Sequence, residues 1–201
     1  MTAPADRNPT SFAFTPENAE RAKKIVARYP AGRQASAVLA LLDIAQRQSG
    51  GWLPRAAMDH VARFLEMPPI RVYEVATFYT MFNLQPVGKH HIQLCRTTPC
   101  WLRGSDELKA VCEKKLGIGL KQVTPDAKFS MVEVECLGAC VNAPVVQIND
   151  DFYEDLDAKR LEAVLDALAR GEKPNIGSQS GRQGSAPDGG PQVLLGGKAG
   201  A

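Results

Sequence analysis

No run in this chain approaches the roughly 20 consecutive apolar residues that a membrane-spanning helix needs, so direct membrane insertion is not expected. The opening Met1-Thr-Ala-Pro-Ala-Asp6 has neither a basic n-region nor an apolar h-region, and no Arg-rich transit segment follows. The protein is therefore expected to stay where it is made. Charge of one sign is also missing: 24 Lys and Arg against 22 Asp and Glu give a formal net charge of +2, no electrostatic footprint for nucleic acid. Cysteine is scarce. Five in 201 residues are too few for a disulfide scaffold, and no Cys-x-x-Cys occurs, which argues against a dithiol oxidoreductase. Dinucleotide and phosphate signatures are lacking too. Gly117-Ile-Gly119 has no third glycine, and Gly197-Lys198 has no upstream P-loop glycine. No NAD, flavin or nucleotide site of its own and no catalytic residue are expected.

What is present is an ordinary soluble composition, 44% hydrophobic and 23% charged, divided into distinct stretches. After a flexible N-terminus (1–14), residues 15–86 show helical periodicity. Thr15-Pro16-Glu17 supplies a hydroxyl cap, an N1 proline and a first-turn acid for a helix reaching Tyr29. A second helix over Gln34–Gln48 carries Val38, Leu41, Leu42 and Ala45 and ends at Gly50-Gly51. A third begins near Pro54 with Met58, Val61, Ala62 and Leu65, and a fourth runs from Ile70 toward Phe82. These four make a small bundle.

Residues 87–171 change period. His90–Cys95 alternates as a strand, and Ser105-Asp106-Glu107 caps a helix with Leu108, Val111, Cys112 and Leu116 inward. Met131–Glu135 alternates again, Asn149-Asp150 turns a hairpin, and Asp157 caps a last helix through Leu168. Strand–helix–strand, hairpin and helix fit a two-layer α/β domain of thioredoxin-like type. Residues 172–201, rich in Gly, Ser, Pro and Gln, read as an extended arm. Alone it should be disordered; Val193, Leu194 and Leu195 suggest that it folds against a partner. The fold class is thus α+β, a helical bundle followed by a thioredoxin-like domain and a C-terminal arm.

Four of the five cysteines form two pairs. Cys95 and Cys100 are four residues apart in Cys-Arg-Thr-Thr-Pro-Cys, and Cys136 and Cys140 three apart in Cys-Leu-Gly-Ala-Cys. Each pair starts where a strand ends. A right-handed strand–helix–strand crossover makes those strands parallel, so both loops open at the same edge and the four thiols converge. Four thiolates suit zinc or iron–sulfur. The four-residue gap lies at the wide end for zinc and suits a larger diiron core, so spacing favours iron–sulfur while leaving zinc open. Pro99 and Pro144 restrict the backbone beside these thiols, and Gly104 and Gly138 allow close approach of a cofactor. Arg96, Arg103 and the N–H groups of 96–98 and 137–139 are candidates to tune such a centre.

The loops Cys95-Arg-Thr-Thr-Pro-Cys100-Trp-Leu-Arg-Gly104 and Glu135-Cys136-Leu-Gly-Ala-Cys140-Val-Asn-Ala-Pro144 resemble the cluster loops of the thioredoxin-like [2Fe–2S] ferredoxins. With Ser49-Gly-Gly-Trp-Leu-Pro54, Val72–Phe82 and the tail's Gly177–Arg182, nearly the whole chain is similar to the E-subunit family of bacterial NADH–quinone oxidoreductases, complex I of the respiratory chain. The resemblance implies a [2Fe–2S] cluster on Cys95, Cys100, Cys136 and Cys140. It also implies partners: an NADH-binding subunit that carries FMN, with which the cluster exchanges electrons, and the large iron–sulfur subunit. Its implied place is cytoplasmic, peripheral on the inner face of the bacterial plasma membrane. Equivalent subunits of NAD-linked hydrogenases or formate dehydrogenases are the alternative, and a structural zinc module a more distant one.

Other residues invite blander readings. Cys112 lies on an apolar helix face and reads as core. His90 and His91 read as rim and solvent contacts, and two histidines closely following two cysteines, as a Rieske centre needs, are absent. Phe78, Tyr79 and Phe82 read as packing. Deleting Pro174–Ala201 is expected to spare the metal centre and weaken assembly.

Overall fold

Thr15 Oγ1 accepts the N–H of Asn18 at 3.3 Å and, with Pro16 at the first helical position, starts α1 (Pro16–Val26). The computed structural model describes residues 9–187, and it divides into two compact units between Val87 and Gly88. In the first unit, α2 (Val38–Gln48), α3 (Arg55–Phe64) and α4 (Pro69–Phe78) follow α1. Leu41, Leu42 and Ala45 of α2 meet Ala57, Val61 and Ala62 of α3 and Val72 and Ala76 of α4 in one apolar core. The intervals of three and four residues put each set on one helix face.

Three boundaries differ from the sequence reading. α1 stops at Val26, with Arg28 and Tyr29 in i→i+3 turns before Pro30. Gln34–Ala37 forms a 3₁₀ turn preceding α2, because no side chain caps the exposed N–H groups there and the first turn tightens instead. α4 ends at Phe78. Its loop is then tied back by polar contacts: Gln46 accepts the N–H of Asn83 at 2.7 Å, and Leu53 N–H donates to Asn83 O at 2.7 Å. Phe82 is core, whereas Phe78 (77% exposed) and Tyr79 are not.

The second unit contains β1 (His90–Cys95), α5 (Thr98–Leu102), α6 (Ser105–Leu116), β2 (Phe129–Val134), β3 (Val146–Ile148), β4 (Asp151–Glu154), α7 (Ala158–Ala169) and β5 (Gly177–Ser178). The sheet order is β2-β1-β3-β4-β5. β1 and β2 are parallel, as expected for a crossover, with Cys95 opposite Val134; β3 runs antiparallel to both β1 and β4. Alternation then sorts the two faces. Ile92, Leu94, Met131, Val146, Ile148 and Tyr153 share a core with Leu108 and Cys112 of α6 and Leu161 and Leu165 of α7. Their sequence neighbours Cys95, Val145 and Phe152 belong to a separate small cluster on the other face. Helices α6 and α7 therefore cover one face, and the first cysteine points away from them.

Gly88 is required by crowding: a Cβ there would lie 2.4 Å from the Phe129 carbonyl carbon. The α6 cap differs from expectation, since Gly104 (φ +97°) is the cap and Ser105 is the first helical residue. Asp157 does cap α7, accepting Arg160 N–H at 2.7 Å. The reading of the arm as disordered is corrected within the described residues. β5 pairs in parallel with β4, and residues 177–186 make hydrogen bonds to the domain. A strand of two residues is invisible to any periodicity argument. Val193, Leu194 and Leu195 lie outside the described residues.

Candidate metal centre

β1 ends at Cys95, and α5 begins three residues later with Pro99 in its first turn, which places Cys100 inside that short helix. β2 ends at Val134, directly beside Cys95, and the chain reaches Cys136 two residues on. Gly138 then takes a left-handed φ of +81°, and Cys140 opens a 3₁₀ turn over Cys140–Asn142. Conformation explains this glycine, since nothing among the described residues crowds its Cβ position. The Ala143–Pro144 peptide is cis. The two loops therefore meet at the carboxyl ends of paired parallel strands.

All five cysteines are free thiols, and four gather here. Cys136 Sγ and Cys140 Sγ are 3.2 Å apart. Cys95 and Cys100 interact through their thiols, and Cys95 bears electrostatically on both Cys136 and Cys140. Burial is unequal: Cys95 and Cys100 are 2% and 1% exposed among Ala143, Val145 and Phe152, whereas Cys136 and Cys140 are exposed. Cys112 is buried on α6 in the helix-side core and takes no part. Among the described residues no three Cys, His, Asp or Glu side chains surround one point as a single-ion site requires. The thiols stand as two neighbouring pairs, one on each loop.

Hydrogen bonds and burial make the four thiols chemically distinct. Burial, reinforced by the Cys95 thiol, pushes Cys100 up to about 12. Burial also pulls Cys95 upward but is outweighed by the Thr97 hydroxyl, 3.3 Å from its sulfur, and by the N–H groups of Thr97 and Leu137, so its net shift is down. The Gly138 N–H, 3.3 Å from Cys136 Sγ, lowers the Cys136 pKa; the Cys136 thiol raises that of Cys140. Donors aimed at sulfur stabilise negative charge there, which is what a thiolate-ligated metal group presents.

Arg96 is more engaged than the sequence suggested. Its guanidinium pairs with Glu133 and, at 2.9 Å, with Asp106, while Lys109 lies 3.2 Å from Glu133. Its Nε–H alone is buried without a partner. His91 is a correction to the solvent-contact reading: its Nδ1 lies 2.8 Å from Ser130 Oγ, which also accepts the Gly88 N–H. Burial lowers the pKa of His91 to about 4.

Sequence reasoning named the backbone N–H of Thr97 but missed its hydroxyl, which touches Cys95 and Cys136, and the polar group behind Cys140 formed by Asn142, Asp155 and Arg182. Thr97 carried a signal, standing two residues after a candidate ligand. Arg182 carried none.

The donor set fits a [2Fe–2S] group, with two thiols per loop and N–H donors directed at sulfur. Comparison with known proteins agrees. The sequence model of the thioredoxin-like [2Fe–2S] ferredoxin family matches residues 22–169. The chain is 62% identical over 159 residues to the NADH-quinone oxidoreductase E-subunit of Rickettsia bellii, covering 79% of this chain and 95% of that protein. It is 49% identical over 186 residues to NADH dehydrogenase [ubiquinone] flavoprotein 2, mitochondrial, of Dictyostelium discoideum, covering 92% and 75%. An NAD+-reducing [NiFe]-hydrogenase shares the fold, with a TM-score of 0.59 and 24% identity over 67% of this chain, which spans 23% of that one. The chain belongs to the thioredoxin-like [2Fe–2S] ferredoxin family.

Proposed function

We propose that this ferredoxin-family chain is the [2Fe–2S] electron-transfer subunit of an NADH–quinone oxidoreductase, with Cys95, Cys100, Cys136 and Cys140 as the four ligands. The observation that carries it is the β1–β2 register, which sets Cys95 against Val134 and so brings two cysteine loops together. When bound, the cluster accepts and releases one electron at a time.

The chain's own residues do the rest. Cys95 and Cys100 hold their share of the cluster in an apolar, water-poor setting, and the N–H groups of Thr97, Leu137 and Gly138 offset negative charge on sulfur. Cys136 and Cys140 sit on the exposed side. Beside Cys140, Leu102 (70% exposed) and Val141 present apolar surface, the composition expected where a partner seats close to an electron-transfer site. That partner is the NADH-binding, FMN-carrying subunit, and the large iron–sulfur subunit adjoins it in the complex. No helix among the described residues is long and apolar enough to cross a membrane; in the proposed complex the chain would sit peripherally on the inner face of the plasma membrane.

Anaerobically purified chain should contain about two irons and two acid-labile sulfides, absorb in the visible, and give a rhombic low-temperature EPR signal on reduction. A flavin-containing subunit should co-purify from the native membrane. Stoichiometric zinc with no EPR signal would refute the proposal.

A further inference from the structure

Arg182 lies in the polar tail, 42 residues beyond Cys140 in sequence, yet it donates from Nη2 to the Val141 carbonyl at 2.8 Å and to Asn142 Oδ1 at 2.9 Å. Its Nε and Nη2 grip both oxygens of Asp155, and Nη1 returns to Ala186 O at 3.1 Å. Both side chains of this ion pair are only 11% exposed. Asn142, 1% exposed, is held from three further directions. Its amide donates to Glu154 and to Gly184 O, and its backbone carbonyl accepts Asp155 N–H at 2.7 Å. Ser178 Oγ completes the group on Asp155 at 2.6 Å. The turn that begins at Cys140 is thus fastened from behind by the tail.

We infer that Arg182 is a positioning residue for Cys140, and that the segment 177–186 is a clasp fixing the exposed half of the cluster's ligand set. The inference rests on Cys140 being a ligand. Cys140 is exposed and is not enclosed in the apolar cluster that holds Cys100, so its placement depends on the backbone of its own turn. A planar guanidinium that reaches the Val141 carbonyl, the Asn142 amide and the Asp155 carboxylate together is suited to hold that turn. Lysine keeps the charge but cannot span these acceptors. The Asp155 carboxylate neutralises Arg182, so the effect is one of geometry rather than of a positive field on the cluster. This alters the expectation that removing the tail spares the metal centre.

The test compares full-length wild type, Arg182→Gln, Arg182→Lys and Leu94→Ala, following loss of visible absorbance to a chelator and the EPR line shape of the reduced chain. Removing partners of this kind weakens metal sites by about tenfold or more. Arg182→Gln should therefore lose its cluster about tenfold faster than wild type, with altered g-values, and Arg182→Lys should fall between. Leu94→Ala, which weakens the domain from the helix side, should lower the melting temperature while leaving the g-values unchanged. Wild-type bleaching and EPR in Arg182→Gln would overturn the inference, as would Leu94→Ala reproducing both effects at an equal melting shift. If wild type itself carries no iron and sulfide, it is the ligand assignment that fails.

Discussion

The two cysteine pairs occupy the same sheet edge and are built in opposite ways. Cys95 and Cys100 are buried, one terminating a central strand and the other inside a short helix; Cys136 and Cys140 are exposed on a loop after an edge strand. The buried pair is positioned by packing, because its surroundings are Ala143 and Val145 in the segment before β3 and Phe152 of β4. The exposed pair is positioned by polar contacts: the Gly138 N–H, the Asn142 hub and the Arg182–Asp155 ion pair. A site built this way has one rigid, dry wall and one open wall facing solvent or a partner. Electron exchange needs the open wall, and retention of the cofactor needs the dry one.

Removing single cysteines of the proposed ligand set should break the comparison most strongly. Cys95→Ala should abolish cluster incorporation, measured as iron and sulfide per chain, because the rigid wall cannot rearrange to offer another ligand. Cys140→Ser should keep a partial, labile cluster, since the exposed loop has room to adjust. Equal loss in both would remove the distinction between the walls.

Packing substitutions sharpen it next. Leu94→Ala on β1 empties a fully buried position and should cost about 2–5 kcal/mol in denaturant melts. Val141→Ala, at 59% exposure on the open wall, should stay within about 0.5 kcal/mol.

The strand that ends at the buried pair also carries His91, whose pKa falls from 6.5 to about 4 because burial opposes its charge. The unfolded chain therefore takes the proton first. Stability from neutral His91 is complete above pH 6.5 and declines as pH falls toward 4, by about 2 kcal/mol between pH 6.5 and 5. His91→Gln should flatten that slope in pH-dependent unfolding without changing cluster content at pH 7.

Cys112 should give the smallest effect. Its thiol is buried on the helix side and pushed up to about 12 by burial, so Cys112→Ala should cost about 1 kcal/mol. Cluster content should not change. In the cluster-free chain, iodoacetamide should modify Cys136 first and Cys112 last, read by peptide mass mapping.

The elements with strong local signals were readable along the chain: the Thr15 and Asp157 caps, the apolar stripes of α2, α3 and α7, and the alternation of β1. So was the meeting of the two loops, because a strand–helix–strand unit constrains where both strands end. The helix Thr98–Leu102 inside the first loop was not readable, being too short for periodicity, nor was β5, which exists only because β4 offers an open edge. His91 passed as a surface residue because its partner Ser130 comes from a different strand.

The identity of the four thiols, their two spacings and the order of strands and helices around them were determined by the sequence alone, since each depends on neighbours within a few residues or on chain handedness. Which pair is buried, and which distant residue fastens the exposed one, was decided only by tertiary structure. Burial depends on what the other sheet face packs against. Arg182 reaches the Cys140 turn only after the tail has folded back onto β4, a contact across 41 residues that no local pattern encodes.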